Sequence, residues 1–265
     1  MDYERWEPFY KQIIEDFGYD EEEDFQSGKD LSILLEKTDT KANLETLKGM
    51  MVGKDAYIFG AGPSLRKDIL RLFKRNNLNI ELPADENLRP AELKTPQGLG
   101  FKQVWIAADI ATTTLMNCGV IPDVIITDLD GIVEDQLDAN SRGAILVVHA
   151  HGNNKDKVKK YVPELKGCVI GTMQATPKAF DNLVNFGGFT DGDRAVFIAD
   201  EFSAKNILLI AFNFKEPTRK KPNGTPMPAP EEEDPAMAEK LRKLTWANVL
   251  IAMLDNNSIR FFDDR

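Results

Sequence analysis

In "TDLDG", residues 127–131, Asp128 and Asp130 stand two apart at the end of an apolar run. In an extended segment their side chains point the same way, and Gly131 lets the chain turn out of the strand. Adjacent carboxylates repel unless a cation lies between them or one keeps its proton. Oxygen ligands with room for water suit magnesium bridging a polyphosphate. Asp109, which closes the run "QVWIAAD" (103–109), supplies a third carboxylate. The alternative is a polar turn in which Asp130 caps the next helix.

Three further stretches join this set. "GAGPS" (60–64) follows an apolar run: Gly60 and Gly62 permit positive φ and close backbone approach, while Pro63 and Ser64 suit the first turn of a helix. Free amides and the helix dipole there favour a phosphate, although a tight strand-to-helix turn needs no ligand. "HAHGNN" (149–154) holds the only two histidines, His149 and His151. Zinc needs a third ligand, and neither cysteine stands at motif spacing. Contact with phosphate or substrate, or proton transfer by one imidazole, is the chemical alternative to ordinary loop histidines. "TDGDRAV" (190–196) adds Asp191, Asp193 and Arg194, either for bidentate phosphate binding by the arginine or for a turn closed by an Asp–Arg ion pair.

Elements of one kind must bring these residues together. The runs "AYIFG" (56–60), "QVWIAAD", "DVIITD" (123–128), "AILVVHA" (144–150), "CVIGT" (168–172), "RAVFIA" (194–199) and "ILLIAFN" (207–213) are nearly continuously apolar. Such runs read as strands buried on both faces of a parallel sheet. Helical patterns at 65–75 and 155–162 fall between them. The expected fold is α/β, an open, mostly parallel sheet flanked by helices, with ligands beyond the carboxyl ends of its strands. Residues 1–52 read as a helical N-terminal cap and 53–265 as the α/β catalytic domain. Within the cap, Trp6, Phe9, Tyr10, Ile13, Ile14 and Phe17 form one apolar stripe, "DEEED" (20–24) reads as a solvated connection, and Gly53 as a helix stop. The stripe fits either a cover over the sheet or a contact in a homo-oligomer. Residues 222–235, proline-rich and acidic, read as an exposed excursion before a helix at 237–254 and a short strand at 259–263.

Composition narrows the function classes. A formal charge of −10, from 43 acidic and 33 basic residues, lacks the net-basic footprint of a nucleic-acid binder. No segment has the length and apolarity of a membrane span or leader. Two cysteines, Cys118 and Cys168, make no disulfide framework, which fits a reducing cytoplasm.

Taken in order, "FGAGPSL", "AAD", "IPDVIITDLDG", "HAHGNN" and "DGDRAVFIA" resemble the archaeal 6-hydroxymethyl-7,8-dihydropterin pyrophosphokinases, the MptE-like family, over about residues 53–215. The Asp-rich portion is also similar to the catalytic domain of thiamine pyrophosphokinases. The resemblance implies transfer of a diphosphate from ATP to the hydroxymethyl group of a reduced pterin, with AMP released and Mg2+ required, in tetrahydrofolate or methanopterin synthesis. It implies that Asp109, Asp128 and Asp130 hold the metal and triphosphate and that Gly60–Ser64 takes part in nucleotide binding. His149, His151 and Asn153 would lie beside the transferred group, with Asp191 and Arg194 completing the pocket. The atom that activates the pterin hydroxyl is left open, and a histidine, with its pKa near neutrality, is the candidate general base. The alternatives are a related pyrophosphokinase or nucleotide-sugar transferase with another acceptor, and a module that binds a nucleotide without turning it over.

Overall fold

The structure, a computed structural model, describes residues 3–78, 80, 82–83, 89–220, 226–228, 234–254 and 257–262. Three helices, α1 (Tyr3–Phe17), α2 (Glu21–Leu34) and α3 (Thr40–Met51), precede the first strand, β1 (Asp55–Phe59). Strands and helices then alternate as α4 (Leu65–Arg75), β2 (Val104–Ala108), α5 (Ala111–Asn117), β3 (Val124–Thr127), α6 (Val133–Ser141), β4 (Ile145–Ala150), α7 (Lys155–Tyr161), β5 (Val169–Met173) and β6 (Leu183–Val184). The chain ends through α8 (Asp191–Glu201), β7 (Asn206–Ile210), the short β8 (Thr218–Lys220) and β9 (Pro226–Pro228), α9 (Pro235–Ala252) and β10 (Ile259–Phe261).

Eight strands form one sheet in the order β10-β7-β1-β2-β3-β4-β5-β6, and every pairing in it is parallel. Alternate side chains explain why both faces must be covered. Trp105 and Ala107 of β2, Ile125 of β3 and Leu146 and Val148 of β4 join one apolar cluster with residues of α1, α2, α4, α5, α6 and α7. Their neighbours Val104, Ile106, Val124, Ile126, Ile145 and Val147 join a second with α3 and α8. The aromatic stripe of α1 belongs to the first cluster, with Trp6, Tyr10 and Ile13 fully buried, so its packed face covers the sheet.

Strands β1 to β6 follow one another across the sheet, and α8 then carries the chain back beneath it to β7, on the far side of β1. That reversal places a crevice at the carboxyl ends of β1 and β7, the usual ligand position in open α/β sheets.

Two sequence expectations are corrected here. "RAVFIA" is part of α8 and not a strand: residues 193–199 are buried on every side, so the helix has no polar stripe to reveal its period. "DEEED" is not a solvated connection. Asp20 caps α2 by accepting the Glu22 N–H, and Glu21–Asp24 form the first turn, where the helix dipole favours carboxylates. Most of the expected excursion at 222–235 lies outside the described residues. Its described part pairs antiparallel as β9 with β8, and Asp234 caps α9.

Asp123, at the entry to β3, is buried and accepts the Trp105 N–H at 2.8 Å. Burial pushes its carboxyl from 3.8 up to about 6. The folded chain therefore holds this proton more tightly than the unfolded chain does. The associated stability is full below pH 3.8 and lost as pH rises through about 6. Asp123→Asn keeps an acceptor for Trp105 and removes the charge. It is expected to raise stability by about 2–3 kcal/mol at pH 7 and to change it little near pH 3.5, measured by urea unfolding at both pH values.

Candidate active site

A cleft of about 790 Å³ opens at the carboxyl edge of the sheet. Gly60 and Gly62 after β1, Asp109 after β2, Asp128 and Asp130 after β3, His151 and Asn153 after β4, and Asp191 and Arg194 of α8 all line it. Its volume lies in the range usual for small-molecule sites.

Its floor is acidic. Carboxylate oxygens of Asp109, Asp128 and Asp191 all lie within 4.8 Å of one another. Such a set is unfavourable without a cation, and its oxygen donors fit a hard divalent ion such as Mg2+. The cost is visible at Asp191: burial, then the charge of Asp128, holds its carboxyl well above the ordinary range. The third member is thus Asp191, where the sequence suggested Asp130. Asp130 is exposed on the cleft wall. β3 ends at Thr127 and Leu129 takes a left-handed φ of 64°. The segment is therefore not extended past Thr127, and the two-residue spacing no longer aligns the side chains. Instead Asp128 Oδ1 accepts the Asp130 N–H at 3.1 Å in a tight turn.

Asp109 is held more firmly. Its own φ is 42°, a strained conformation for this residue. Its Oδ1 accepts from the Gly131 N–H at 3.0 Å, the Gln136 amide at 2.8 Å and the Thr127 hydroxyl at 3.0 Å. Gly131 is needed for that approach and not for a positive φ, since a Cβ there would stand 2.7 Å from Asp109 Oδ1.

The two histidines separate. His151 lines the cleft with Nε2 3.3 Å from Asp128 Oδ2, while its Nδ1 accepts the Asn153 N–H at 3.3 Å. The tautomer that satisfies both contacts carries the proton on Nε2 and donates it to Asp128. His149 is 2% exposed and is absent from the cleft wall. Burial, then the Arg194 charge, pushes its pKa well below 6.5, so the ring is neutral. Asn154, which sequence reasoning did not single out, ties these segments together: its amide donates to the carbonyls of Asp128 at 2.9 Å and His149 at 2.6 Å, and its oxygen accepts the His151 N–H at 3.0 Å.

At the N-terminus of α8, Asp193 accepts the N–H groups of Phe189 at 2.6 Å and Thr190 at 2.7 Å. This cap fixes the first turn, from which Arg194 Nη1 donates to Asp191 Oδ1 at 3.1 Å. The ion-pair alternative is therefore present, inside the cleft wall.

The glycine turn differs from its expected form. Neither Gly60 nor Gly62 has positive φ, and their N–H groups donate to Ile210 O and Ala211 O at 2.9 Å. A Cβ at Gly62 would lie 2.2 Å from Ala211 O, so this glycine serves the close approach of β1 to β7. Pro63 and Ser64 stand outside the cleft, and the Ser64 hydroxyl donates to Asp68 at 2.6 Å.

The remaining wall comes from segments the motifs do not mark. The α1–α2 turn contributes Gly18, Tyr19 and Asp20, and α9 contributes Glu239, Lys240 and Lys243. Asp24 joins the first of these to the site, accepting the Tyr10 hydroxyl at 2.9 Å and the Gly152 N–H at 2.8 Å. Among the described residues no helix is long and apolar enough to cross a membrane.

Comparison with known proteins gives the family. The family model described as 6-hydroxymethylpterin diphosphokinase MptE-like matches residues 99–218, which include all three clustered aspartates. Over 268 residues the chain is 38% identical to a protein of Methanocaldococcus jannaschii named 6-hydroxymethyl-7,8-dihydropterin pyrophosphokinase, covering 98% of this chain and 99% of that one. Proteins of the same name from Pyrococcus furiosus and Methanothermobacter thermautotrophicus are 39% and 37% identical, over 97% of this chain in each case and 96% and 97% of theirs. The chain belongs to the MptE-like family.

Proposed function

We propose that the protein transfers a diphosphate group from ATP to the hydroxymethyl group of 6-hydroxymethyl-7,8-dihydropterin, releasing AMP. The observation that carries this reading is the cluster of Asp109, Asp128 and Asp191 on the floor of the cleft. The names of the full-length relatives supply the acceptor. Phosphoryl-type transfer asks a protein mainly for positioning and for cations against the spreading negative charge.

Asp109, Asp128 and Asp191 would hold Mg2+. When bound, the ion neutralises charge on the phosphates of the donor. Asp109 arrives at this task already oriented by its three donors. His151, with Nε2–H toward Asp128, orients the second carboxylate and does not act as a free base in this arrangement. Arg194 balances Asp191. Lys240 and Lys243 of α9 also line the cleft, Lys240 donating to Thr218 O at 2.6 Å and Lys243 paired with Glu239 at 3.0 Å, and add positive charge near a polyphosphate. In the reaction the hydroxymethyl oxygen bonds the β-phosphorus and gives its proton to water, the bond from that phosphorus to the α,β-bridging oxygen breaks, and AMP leaves with that oxygen. On this reading the step belongs to tetrahydrofolate or methanopterin synthesis.

The test is a product assay with ATP, Mg2+ and 6-hydroxymethyl-7,8-dihydropterin, read by mass spectrometry. AMP and pterin diphosphate are expected in equal amounts, and omission of Mg2+ should stop both. ADP with a pterin monophosphate, or no pterin product, would contradict the reading.

A further inference from the structure

Asp24 is a buried carboxylate outside the metal cluster, with no ion pair among the described residues. It stands in the first turn of α2, where the helix dipole favours a negative charge. Its two oxygens reach different parts of the chain. Oδ2 accepts the hydroxyl of Tyr10, in α1, at 2.9 Å, and Oδ1 accepts the N–H of Gly152, just beyond β4, at 2.8 Å. A main-chain N–H bonded to a carboxylate makes about twice as strong a hydrogen bond as a neutral pair. The chain comes this close because residue 152 is glycine: a Cβ there would stand 2.8 Å from Glu23 Cβ.

Gly152 opens the short turn Gly152–Asn154, and the residues at either side of it both reach Asp128. His151 directs Nε2 to Asp128 Oδ2 at 3.3 Å, and the buried Asn154 donates to Asp128 O at 2.9 Å. The Asn154 amide has one permitted orientation. Its oxygen accepts the His151 N–H at 3.0 Å and the hydroxyl of Ser27, in α2, at 3.3 Å, while its NH2 donates to the carbonyls of Asp128 and His149. Turned over, it would set its oxygen against two carbonyl oxygens and its NH2 against an N–H. α2 therefore grips the turn at two points, Asp24 at its start and Ser27 at its end. The turn grips Asp128 at two more, main chain and carboxylate. That support matters because the strand does not hold this residue: β3 stops at Thr127, and Leu129 already has a φ of 64°.

We propose that Asp24 is a positioning residue for the metal cluster: by holding Gly152 it fixes the turn from which His151 and Asn154 set Asp128. The first two helices are on this account part of the scaffold of the site and not only a cover over the sheet. The inference deepens the pyrophosphokinase reading. It rests on the metal cluster of that reading, and on the reaction only where turnover is the readout.

The test uses the whole chain, with Mn2+ as the probe and its affinity read by electron paramagnetic resonance. Asp24→Ala is expected to weaken Mn2+ binding about tenfold, the low end of what loss of an outer partner of a metal ligand costs. The Gly152 amide, read by hydrogen exchange, should lose its protection in the same variant. Asp24→Asn keeps an oxygen for the Gly152 N–H and should recover the affinity to within about threefold of the parent. Tyr10→Phe removes the other bond of Asp24 and should lower Tm while leaving Mn2+ affinity as in the parent. A merely structural Asp24 would lower Tm and leave Mn2+ affinity where it was. Unchanged affinity in a folded Asp24→Ala variant therefore overturns the proposal. An equal loss in Asp24→Asn overturns it as well, since the charge and not the hydrogen bond would then be the cause. If Asp24→Ala does not fold, the double variant Tyr10→Phe/Asp24→Leu takes its place, with the same expectation and the same contrary result. It removes the hydroxyl together with the carboxylate, so that of these three groups only the Gly152 N–H is left unpaired. In the product assay, the Mg2+ needed for half-maximal turnover should rise by the same factor while saturating kcat falls less. Loss of affinity in Asp24→Ala, with no pterin product from the parent, would leave the positioning role standing and reject the proposed reaction. Pterin product from the parent, with affinity unchanged in Asp24→Ala, would do the reverse.

Discussion

Asp128→Asn is expected to lower metal-dependent turnover by about 10²–10³-fold, whereas Asp130→Asn should leave at least roughly a tenth of it. The two residues stand in one short motif, but only Asp128 lies within 4.8 Å of the other clustered carboxylates, and Asp130 is exposed. Asparagine keeps the shape of each side chain and removes its charge. In Asp128→Asn the carboxyl of Asp191 also loses the strongest charge that opposes its ionisation. The melting temperature of metal-free Asp128→Asn should therefore equal or exceed that of the parent, so that lost activity is not lost fold. Steady-state rates and thermal melts on the two variants decide it. Equal losses of activity in both would return Asp130 to the metal.

The largest expected effect on stability is at Arg194. Its ion pair with Asp191 is nearly buried on both sides, with side chains 7% and 12% exposed. Arg194→Met leaves a carboxylate in place beside Asp128 and Asp109 with no cation. Breaking one partner of a buried pair typically costs about 3–5 kcal/mol, which for a chain of this size corresponds to a fall in Tm of roughly 6–20 °C. Adding Asp191→Asn should recover most of that loss, since the second change removes the stranded charge. A pH signature accompanies it. The Asp191 carboxyl is raised in the folded state, so the stability it contributes is complete below the ordinary carboxylate pKa and is lost as pH rises through the raised value. The stability gained by Asp191→Asn in metal-free protein should accordingly grow as pH rises above about 4. A melting temperature that does not move in Arg194→Met, with nucleotide affinity falling instead, would assign the guanidinium to the ligand.

The parallel sheet was legible because its strands are almost wholly apolar, and the runs closing with Gly60, Asp109, Asp128, Ala150 and Thr172 fall on β1 to β5, which end within one residue of them. The same property misled at residues 194–199. A helix buried on all sides carries the same continuous apolar signal as a central strand, and only packing beneath β1, β2 and β3 distinguishes them. Asp109 and Asp128 were legible as candidate ligands by their place at strand ends. The pairing of Asp128 with Asp191 was not, because it depends on α8 returning beneath the sheet across 62 intervening positions in the chain. The walls built by Tyr19 and Lys243 lie outside every motif. Nothing local marks a surface turn or the face of a helix that will overlook a cleft. His149 shows the opposite error: its spacing of two from His151 at a strand end suggested two chemical imidazoles, yet β4 stops at Ala150, so His149 stays in the buried strand while His151 leaves it at the cleft.

The most direct test of the metal cluster is anomalous diffraction from crystals grown with Mn2+ and α,β-methylene ATP. The expected result is a Mn2+ peak within ligand distance of Asp109, Asp128 and Asp191, with phosphate oxygens of the nucleotide on the same ion. A Mn2+ ion bound by Asp128 and Asp130 without Asp191, or nucleotide phosphates seated away from the three carboxylates, would contradict it.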